Sequence, residues 1–134
     1  MIEFDKSLHT RHSIIDFQHR HLIDIFNKVE TEIENSNDSI RYILNELLDY
    51  ACYHFDTEEE LFEKYKYPYT DEHIVEHKEY INKINDFIKS YTQQNNIEKQ
   101  DIANFLIEWI IVHIKDSDQE YARYFKEKGI FPCD

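Results

Sequence analysis

The sequence contains very little glycine and proline. Only one glycine and two prolines occur in 134 residues. Folds rich in β-sheet need many more turn residues than this, because each hairpin reverses the chain tightly. Long helices with few interruptions do not need them. The scarcity of both residues therefore favours an all-α protein.

Basic residues and long apolar runs are also scarce. The 15 Lys and Arg residues are outnumbered by 28 Asp and Glu residues, which gives a formal net charge of −13. Such a surface repels nucleic-acid phosphates and anionic lipid headgroups, so neither is an expected partner. The longest apolar-rich run, residues 105–114, is too short to span a bilayer and contains Glu108. Because no basic segment followed by an apolar stretch opens the sequence, we expect a cytoplasmic protein.

Cysteine is too scarce for a disulfide framework. Cys52 and Cys133 lie far apart in the sequence, and neither belongs to a CxxC pair. Cys52 falls within a helical pattern, so we expect it to be a small buried residue. Cys133 lies next to the C-terminus and is expected to be exposed.

Four long segments contain apolar residues that recur with helical spacing. A capping box of Ser13 and Asp16 is predicted to open the first helix. Four amphipathic helices with short connections predict an up-down-up-down four-helix bundle. Because the composition is uniform, residues 1–134 are predicted to form a single domain with an N-terminal arm. The predicted helices cover residues 13–34, about 39–66, about 71–91 and about 97–115, followed by a short C-terminal helix at about 118–128.

Two of these helices carry pairs of metal-ligating residues. His54 and Glu58 are four residues apart on the second helix, and His73 and His77 are four residues apart on the third. Residues with this spacing project from the same side of a helix. Each pair can therefore offer two ligands to one metal centre.

The bundle topology brings these pairs together with two further histidines. His19 and His113 lie on the apolar stripes near the start of the first helix and the end of the fourth. In an up-down-up-down bundle, these positions and both pairs fall within roughly one to three turns of the same end. Six candidate ligands thus converge there. The other histidines, His9, His12 and His21, fit this pattern less well and are predicted to lie on the surface.

A metal site explains this convergence better than a hydrogen-bonded core. Buried polar groups without partners cost about 1–3 kcal/mol each, whereas a small domain has about 5–15 kcal/mol of stability in total. Imidazole suits zinc, copper, iron and nickel. Five histidines exceed what one tetrahedral zinc ion uses. Two metal ions that share the Glu58 carboxylate therefore fit better than one.

Four motifs follow one another along the chain: residues 16–19 (DFQH), 54–59 (HFDTEE), 73–77 (HIVEH) and 109–118 (WIIVHIKDSD), with Tyr67-Pro68 between the second and third. These ordered motifs resemble those of the hemerythrin family, and the resemblance covers nearly the whole chain. It implies a bundle that binds O2 reversibly at two Fe ions bridged by two carboxylates and an oxo or hydroxo group.

The resemblance also implies seven iron ligands. Three histidines would hold one iron, and two would hold the other, which leaves that second iron with an open position for O2. Two carboxylates would bridge the irons. The first iron would be held by His73, His77 and His113, and the second by His19 and His54. The bridging carboxylates would be Glu58 and Asp118.

Asp118 is the implied ligand that helical periodicity supports least. It follows His113 by five residues, about 140° around an ideal helix and off the apolar stripe. Asp116 would face the core better. Asp118 requires a local break or a π-type bulge near Ser117. We therefore predict such a bulge, with Asp116 as the alternative bridge.

Three functions remain open from the sequence. The first is O2 carriage, storage or delivery; the second is an O2, redox or iron sensor; the third is an enzyme that acts on nitric oxide or peroxide. No general acid or base stands out beyond the ligands, so the enzyme is disfavoured. The candidate walls of an apolar O2 pocket are Leu22, Phe26, Phe55, Trp109 and Ile114.

Overall fold

The computed structural model describes residues 3–34, 40–90 and 96–130. These residues confirm the predicted all-α fold with an N-terminal arm and a short C-terminal helix. The arm contains one 3-10 turn, Lys6–Leu8, and a π-helical turn, Ile114–Asp118, joins the last two helices. The helices are α1 (Ser13–Glu34), α2 (Ile40–Tyr65), α3 (Thr70–Ser90), α4 (Asn96–His113) and α5 (Gln119–Glu127).

The four long helices form a closed square. Each packs against its neighbours in sequence, and α1 also packs against α4. Short connections make consecutive helices antiparallel, so the starts of α1 and α3 meet the ends of α2 and α4. Within the described residues, no helix is both long enough and apolar enough to cross a membrane.

Two apolar clusters stabilise the bundle. The larger runs through all four long helices and includes Leu22, Leu44, Phe87 and Leu106, all essentially inaccessible to solvent. Burying side chains of this size contributes about 1.5–3 kcal/mol each. The smaller cluster lies where α5 covers one end of the bundle. Its buried members are Ile15, Phe62, Tyr67, Tyr121, Ala122 and Phe125.

Two helices end in the same left-handed cap. Gly129 follows α5 with φ 77°, and the Ile130 N–H donates to the Phe125 carbonyl at 2.8 Å. Lys66 follows α2 with φ 54°, and the Tyr67 N–H donates to the Phe62 carbonyl at 2.9 Å. This pattern satisfies carbonyls that a helix end leaves unpaired. At the end of α2 it also turns Tyr67 inward, beneath α5.

The start of α1 differs from the predicted capping box. The helix begins at Ser13 as predicted, but His12 caps it, since its Nδ1 accepts the Ile15 N–H at 3.4 Å. Asp16 instead binds the preceding loop: it accepts the Thr10 N–H at 2.7 Å, the Thr10 hydroxyl at 2.8 Å and the Arg11 N–H at 3.2 Å. The prediction that His12 lies on the surface is wrong, because this capping role leaves it only 8% exposed.

The prediction that Cys52 is buried is also wrong. Cys52 is exposed, whereas its neighbour Ala51 is fully buried. The two positions differ by about 100° around the helix, and the apolar face of α2 ends at Ala51. The prediction for Cys133 lies outside the described residues.

Replacement of Asp16 by alanine should destabilise the bundle. Three donors in the loop before α1 would lose their acceptor, and Thr10 is buried. We expect the free energy of unfolding to fall by about 1–3 kcal/mol. Urea unfolding of the metal-free protein measures this change. Asp24→Ala, which removes an exposed carboxylate from the same helix, is the matched control; equal stabilities for the two variants would contradict the role of Asp16.

Candidate metal centre

Seven polar side chains form a buried cluster at the end of the bundle that α5 covers. None is more than 3% exposed. All six residues predicted to converge are present, together with Asp118. The four long helices and the π-helical turn supply His19 (α1), His54 and Glu58 (α2), His73 and His77 (α3), His113 (α4) and Asp118.

The cluster divides into two groups of potential ligands that share Glu58. Within each group, one atom from every residue lies within 4.8 Å of one atom from every other, the spacing at which a single ion can be held. The first group contains Glu58, His73, His77 and His113, and the second contains His19, His54, Glu58 and Asp118.

Both carboxylates lie between histidines of the two groups. Asp118 directs Oδ2 to His19 Nε2 at 3.0 Å and Oδ1 to His73 Nε2 at 3.0 Å. The Glu58 Oε1 atom lies 3.3 Å from His54 Nε2 and 3.2 Å from His77 Nε2. A carboxylate between two sets of nitrogens suits a bridging position between two metal ions.

The π-helical turn determines which aspartate reaches the cluster. It spans Ile114–Asp118, and the N–H of Gln119 returns to the carbonyl of Ile114, five residues earlier. The extra residue in the turn rotates Asp118 inward, where it is fully buried, and leaves Asp116 exposed. The predicted bulge near Ser117 is therefore confirmed, and the cluster contains Asp118 but not the alternative, Asp116.

Residues next to the cluster hold two of its imidazoles in position. His54 Nδ1 lies 2.7 Å from Gln18 Oε1, and His77 Nδ1 lies 2.8 Å from Glu59 Oε2. Since both oxygens are acceptors, each Nδ1 carries a proton, and each Nε2 is the ring nitrogen left to ligate a metal once the imidazole is neutral. Gln18 is itself oriented by its Nε2, which donates to the Thr57 hydroxyl at 3.3 Å.

Two further residues support the carboxylate side of the cluster. The buried Tyr121 hydroxyl donates to Glu58 Oε2. The Ser117 hydroxyl donates to Glu76, whose Oε2 also lies 3.7 Å from His113 Nδ1. None of these supporting roles was predicted from the sequence. Adjacency was the available signal, because Gln18, Glu59 and Glu76 each lie beside a cluster residue in sequence.

Aromatic rings pack against the outer sides of the histidines. Phe55 stacks on His77 with ring centroids 3.9 Å apart, and Trp109 stacks on His113 with centroids 4.7 Å apart. Leu22, Phe26 and Ile114, the other candidate wall residues, belong to the buried apolar cluster. His9 stacks on Phe4 and His21 packs on Tyr50, both outside the metal cluster.

The chemistry of the cluster fits bound metal better than a hydrogen-bonded core. Ten side-chain nitrogen and oxygen atoms of its residues are buried without a hydrogen-bond partner among the described residues, including Nε2 of all five histidines. Buried donors and acceptors are otherwise almost always paired. Metal coordination satisfies such lone pairs, and imidazole and carboxylate together suit first-row transition metals.

Electrostatics keeps both carboxylates ionised. Burial raises the pKa of Asp118, but His113, His19 and His73 outweigh it and hold the pKa well below its ordinary value. The pKa of Glu58 is lowered in the same way by His54 and His77, against burial and the charge of Asp118.

Two of the histidines have a raised pKa in the metal-free cluster. Burial lowers the pKa of His77, but the carboxylates of Glu58 and Glu59 overcome it and raise the pKa to about 9. The pKa of His19 is also raised, because Asp118 outweighs burial. Burial lowers the pKa of His54. A proton on His77 thus partly compensates the two carboxylates in the absence of metal.

The sequence matches the family model of the hemerythrin HHE cation binding domain over residues 10–125. This match covers most of the chain. The chain belongs to the hemerythrin family. Membership implies non-haem iron, and the buried cluster of His, Glu and Asp side chains fits a metal site.

Individual relatives agree with this assignment. The chain is 34% identical over 113 residues to a bacteriohemerythrin of Clostridium acetobutylicum, covering 80% of this chain and 88% of the relative. It is 28% identical over 114 residues to a bacteriohemerythrin of Stenotrophomonas maltophilia, covering 84% and 74%. A solved crystal structure of a point mutant superposes with a TM-score of 0.77 at 29% identity, covering 85% of this chain and 88% of that one.

The raised pKa of His77 predicts that metal binding releases a proton. The metal-free protein keeps this proton up to about pH 9, whereas a ligating imidazole must be neutral. Between pH 7 and pH 9, the apparent affinity for Co²⁺ should therefore rise by up to about tenfold per pH unit for each proton released. Titration calorimetry in two buffers of different protonation enthalpy counts the protons.

Glu59→Gln provides the matched variant for this measurement. It removes one of the carboxylates that raise the pKa of His77. The rise in affinity should then end at a lower pH than in the unmodified protein. Glu60→Gln, an exposed neighbour, should leave the profile unchanged. An affinity that is independent of pH between 7 and 9 would contradict the assignment.

Proposed function

We propose that this protein holds two iron ions and binds O2 reversibly, for carriage, storage or delivery. The observation that carries the proposal is the pair of ligand groups that share Glu58. Seven donors are too many for one ion of ordinary coordination number. Two adjacent ions would use all seven donors. The ion with only two histidines would keep a coordination position open for O2.

Each residue of the cluster would have a defined task. Three histidines would hold one iron and two the other, while the two carboxylates would bridge them together with an oxo or hydroxo group. A pair of ferrous ions held by these residues would supply reversible two-electron chemistry towards O2. The first iron would be held by His73, His77 and His113, and the second by His19 and His54. The bridging carboxylates would be Glu58 and Asp118.

The charges of the cluster support two divalent ions. Two ionised carboxylates contribute −2, and neutral imidazoles contribute nothing. Two ferrous ions bring +4, and a hydroxide bridge would reduce the remaining charge to about +1. A nearly neutral site is compatible with the complete burial of Glu58 and Asp118, whereas an uncompensated pair of carboxylates is not.

The surrounding residues favour reversible binding over onward chemistry. The cluster residues are at most 3% exposed, and aromatic and aliphatic side chains surround them, so water has little access. Excluding water limits proton delivery to O2 and thus its loss as peroxide. Tyr121 is the one hydroxyl donor bonded to a cluster carboxylate among the described residues, and it is buried.

A sensor or an enzyme acting on nitric oxide or peroxide is the alternative. Both would use the same ligands, and the family assignment covers them equally. Sustained turnover of nitric oxide or peroxide by the iron-loaded protein would favour the enzyme. We also propose that the protein works in the cytoplasm, without a nucleic-acid or membrane partner, in line with its net charge of −13.

The proposal predicts a reversible visible spectrum and two irons per chain. The protein should be reduced anaerobically, exposed to air and then deoxygenated, with iron measured in the same sample. A charge-transfer band that appears with air and vanishes on deoxygenation is the expected result. Irreversible oxidation with two irons bound would favour the sensor or enzyme. One zinc or no metal would overturn the proposal.

Replacement of His54 by alanine should abolish stable O2 binding without unfolding the bundle. His54 is one of only two histidines in its ligand group. Its loss should therefore open that iron to water while the other group stays complete. His21→Ala is the matched control, because His21 lies on the bundle outside the cluster. Normal O2 binding by His54→Ala would refute the ligand assignment, provided that circular dichroism shows a folded protein.

A further inference from the structure

A surface pocket between α3 and α4 reaches the outer side of the metal cluster. It has a volume of about 310 Å³, and its lining includes Glu76, Trp109 and His113. His113 is 3% exposed, and its Nδ1 has no hydrogen-bond partner among the described residues. A side chain of the cluster therefore forms part of the wall of a pocket that is open to solvent.

Trp109 connects this pocket to the cluster. Its ring stacks on the His113 imidazole with centroids 4.7 Å apart and an interplanar angle of 14°. Its ring also stacks on Tyr80, with centroids 4.3 Å apart. The indole is partly exposed and lines the pocket. Conjugated rings thus extend from solvent to His113 by direct contact.

No other aromatic ring stacked on a cluster histidine, among the described residues, combines these properties. Phe55 stacks on His77 and lines a second pocket, but it is only 2% exposed. Phe62 contacts His73 edge-on and is fully buried. Trp109 is therefore the best electronic connection between the cluster and the surface.

The rim of the pocket indicates the charge of its occupant. Glu108 and Asp116 are exposed at the rim, and Glu76 is half-buried beside them. The apolar part of the lining is Phe105 and Val112, which are 46% and 57% exposed. Lys83 is a nearby cation, 6.0 Å from the Phe105 ring. An acidic rim around an apolar floor fits a flat aromatic group carried by a cationic molecule.

A buried ferrous site needs a route for electrons. Under the proposed function, O2 that leaves intact returns its electrons, but O2 that is lost as peroxide leaves ferric ions, which must be reduced before O2 binds again. The cluster residues are at most 3% exposed, so an electron donor cannot touch the irons directly. Electron transfer weakens steeply with distance, and a stacked aromatic ring shortens the gap that the electron crosses.

We propose that the pocket over Trp109 is an electron port, where an electron-transfer protein with a basic surface and a flat aromatic cofactor, such as a reduced flavin, docks. The donor loses one electron, which passes through the Trp109 indole and the His113 imidazole, and one ferric ion becomes ferrous. Neither ring changes overall. A second electron restores the second iron. This inference rests on the proposed function for the presence of iron.

The test is the rate at which the ferric protein is reduced under anaerobic conditions. Reduced methyl viologen, a flat cationic one-electron donor, serves as the probe in a stopped-flow experiment. Trp109→Leu should slow reduction by about tenfold or more, equivalent to at least roughly 1.4 kcal/mol of activation free energy. Trp109→Phe, which keeps a ring over His113, should retain most of the rate. Phe87→Leu removes a buried aromatic ring ten residues beyond His77 and should have no effect.

The charge of the rim is tested separately. Glu108→Gln should slow reduction by methyl viologen at low salt, and the difference should vanish at about 1 M salt. Asp24→Asn removes an exposed carboxylate from the opposite α1–α2 side of the bundle and should leave the rate unchanged. Equal effects of these two variants would overturn docking at the pocket. The electron port would be overturned if Phe55→Leu slowed reduction of the ferric protein while Trp109→Leu left the rate unchanged.

Two measurements separate failure of the port from failure of the proposed function. Iron per chain is determined in each variant, and Trp109, the single tryptophan, reports binding through its fluorescence. Emission should be quenched in proportion to Fe²⁺ added to the metal-free protein, because the indole stacks on His113. Absence of iron from the unmodified protein would overturn the proposed function. Iron-loaded Trp109→Leu that is reduced at the normal rate would overturn the port alone.

Discussion

Two carboxylates buried among five imidazoles are the feature on which the rest of this bundle depends. Glu58 and Asp118 are fully buried and ionised, and a lone charge at such a position is strongly destabilising. Without metal, the protein compensates them with protons on histidines, which explains the raised pKa of His77. Ten buried polar atoms of the cluster nevertheless make no regular hydrogen bond among the described residues. The cluster therefore destabilises the metal-free protein, and a bound cation removes this destabilisation. Metal binding and folding stability are thus linked.

The geometry at this end of the bundle follows from the need to bring Asp118 to the cluster. A regular helix would point Asp118 away, and the π-helical turn rotates it inward. The same turn starts α5, whose Tyr121 donates to Glu58. Gln119, the first residue of α5, donates to the His9 carbonyl at 2.9 Å and so ties the arm to the turn. One extra residue in a helix therefore couples the second carboxylate, the cap over the cluster and the N-terminal arm.

Periodicity could predict which helix faces meet but not which atoms pair. The i, i+4 spacing of His54 with Glu58 and of His73 with His77, combined with the bundle topology, was enough to place six donors at one end. The position of Asp118 required a departure from helical periodicity, which only the family resemblance indicated. Cys52 was predicted wrongly because it lies one residue beyond the apolar face of α2. His12 was predicted wrongly because its own ring caps α1 and is thereby buried. Gln18 and Glu59 were missed because orienting a neighbour's imidazole depends on helix separation and tilt, which a single sequence does not encode visibly.

Burial that protects a dioxygen site also isolates it from electron donors. O2 is small and uncharged, so it can pass between apolar side chains, whereas a protein donor must stay outside. Apolar packing around the cluster therefore admits O2 and excludes a protein electron donor. Aromatic side chains resolve this conflict, because a ring can fill the core as well as an aliphatic group and still provide electronic contact. Trp109 occupies the position where both properties are needed: its ring stacks on His113, and the residue also lines an acidic pocket open to solvent. Replacing it with a large aliphatic residue would keep the site dry and yet leave it without a contact to the surface, which is why its aromatic character, more than its size, matters for the proposed function.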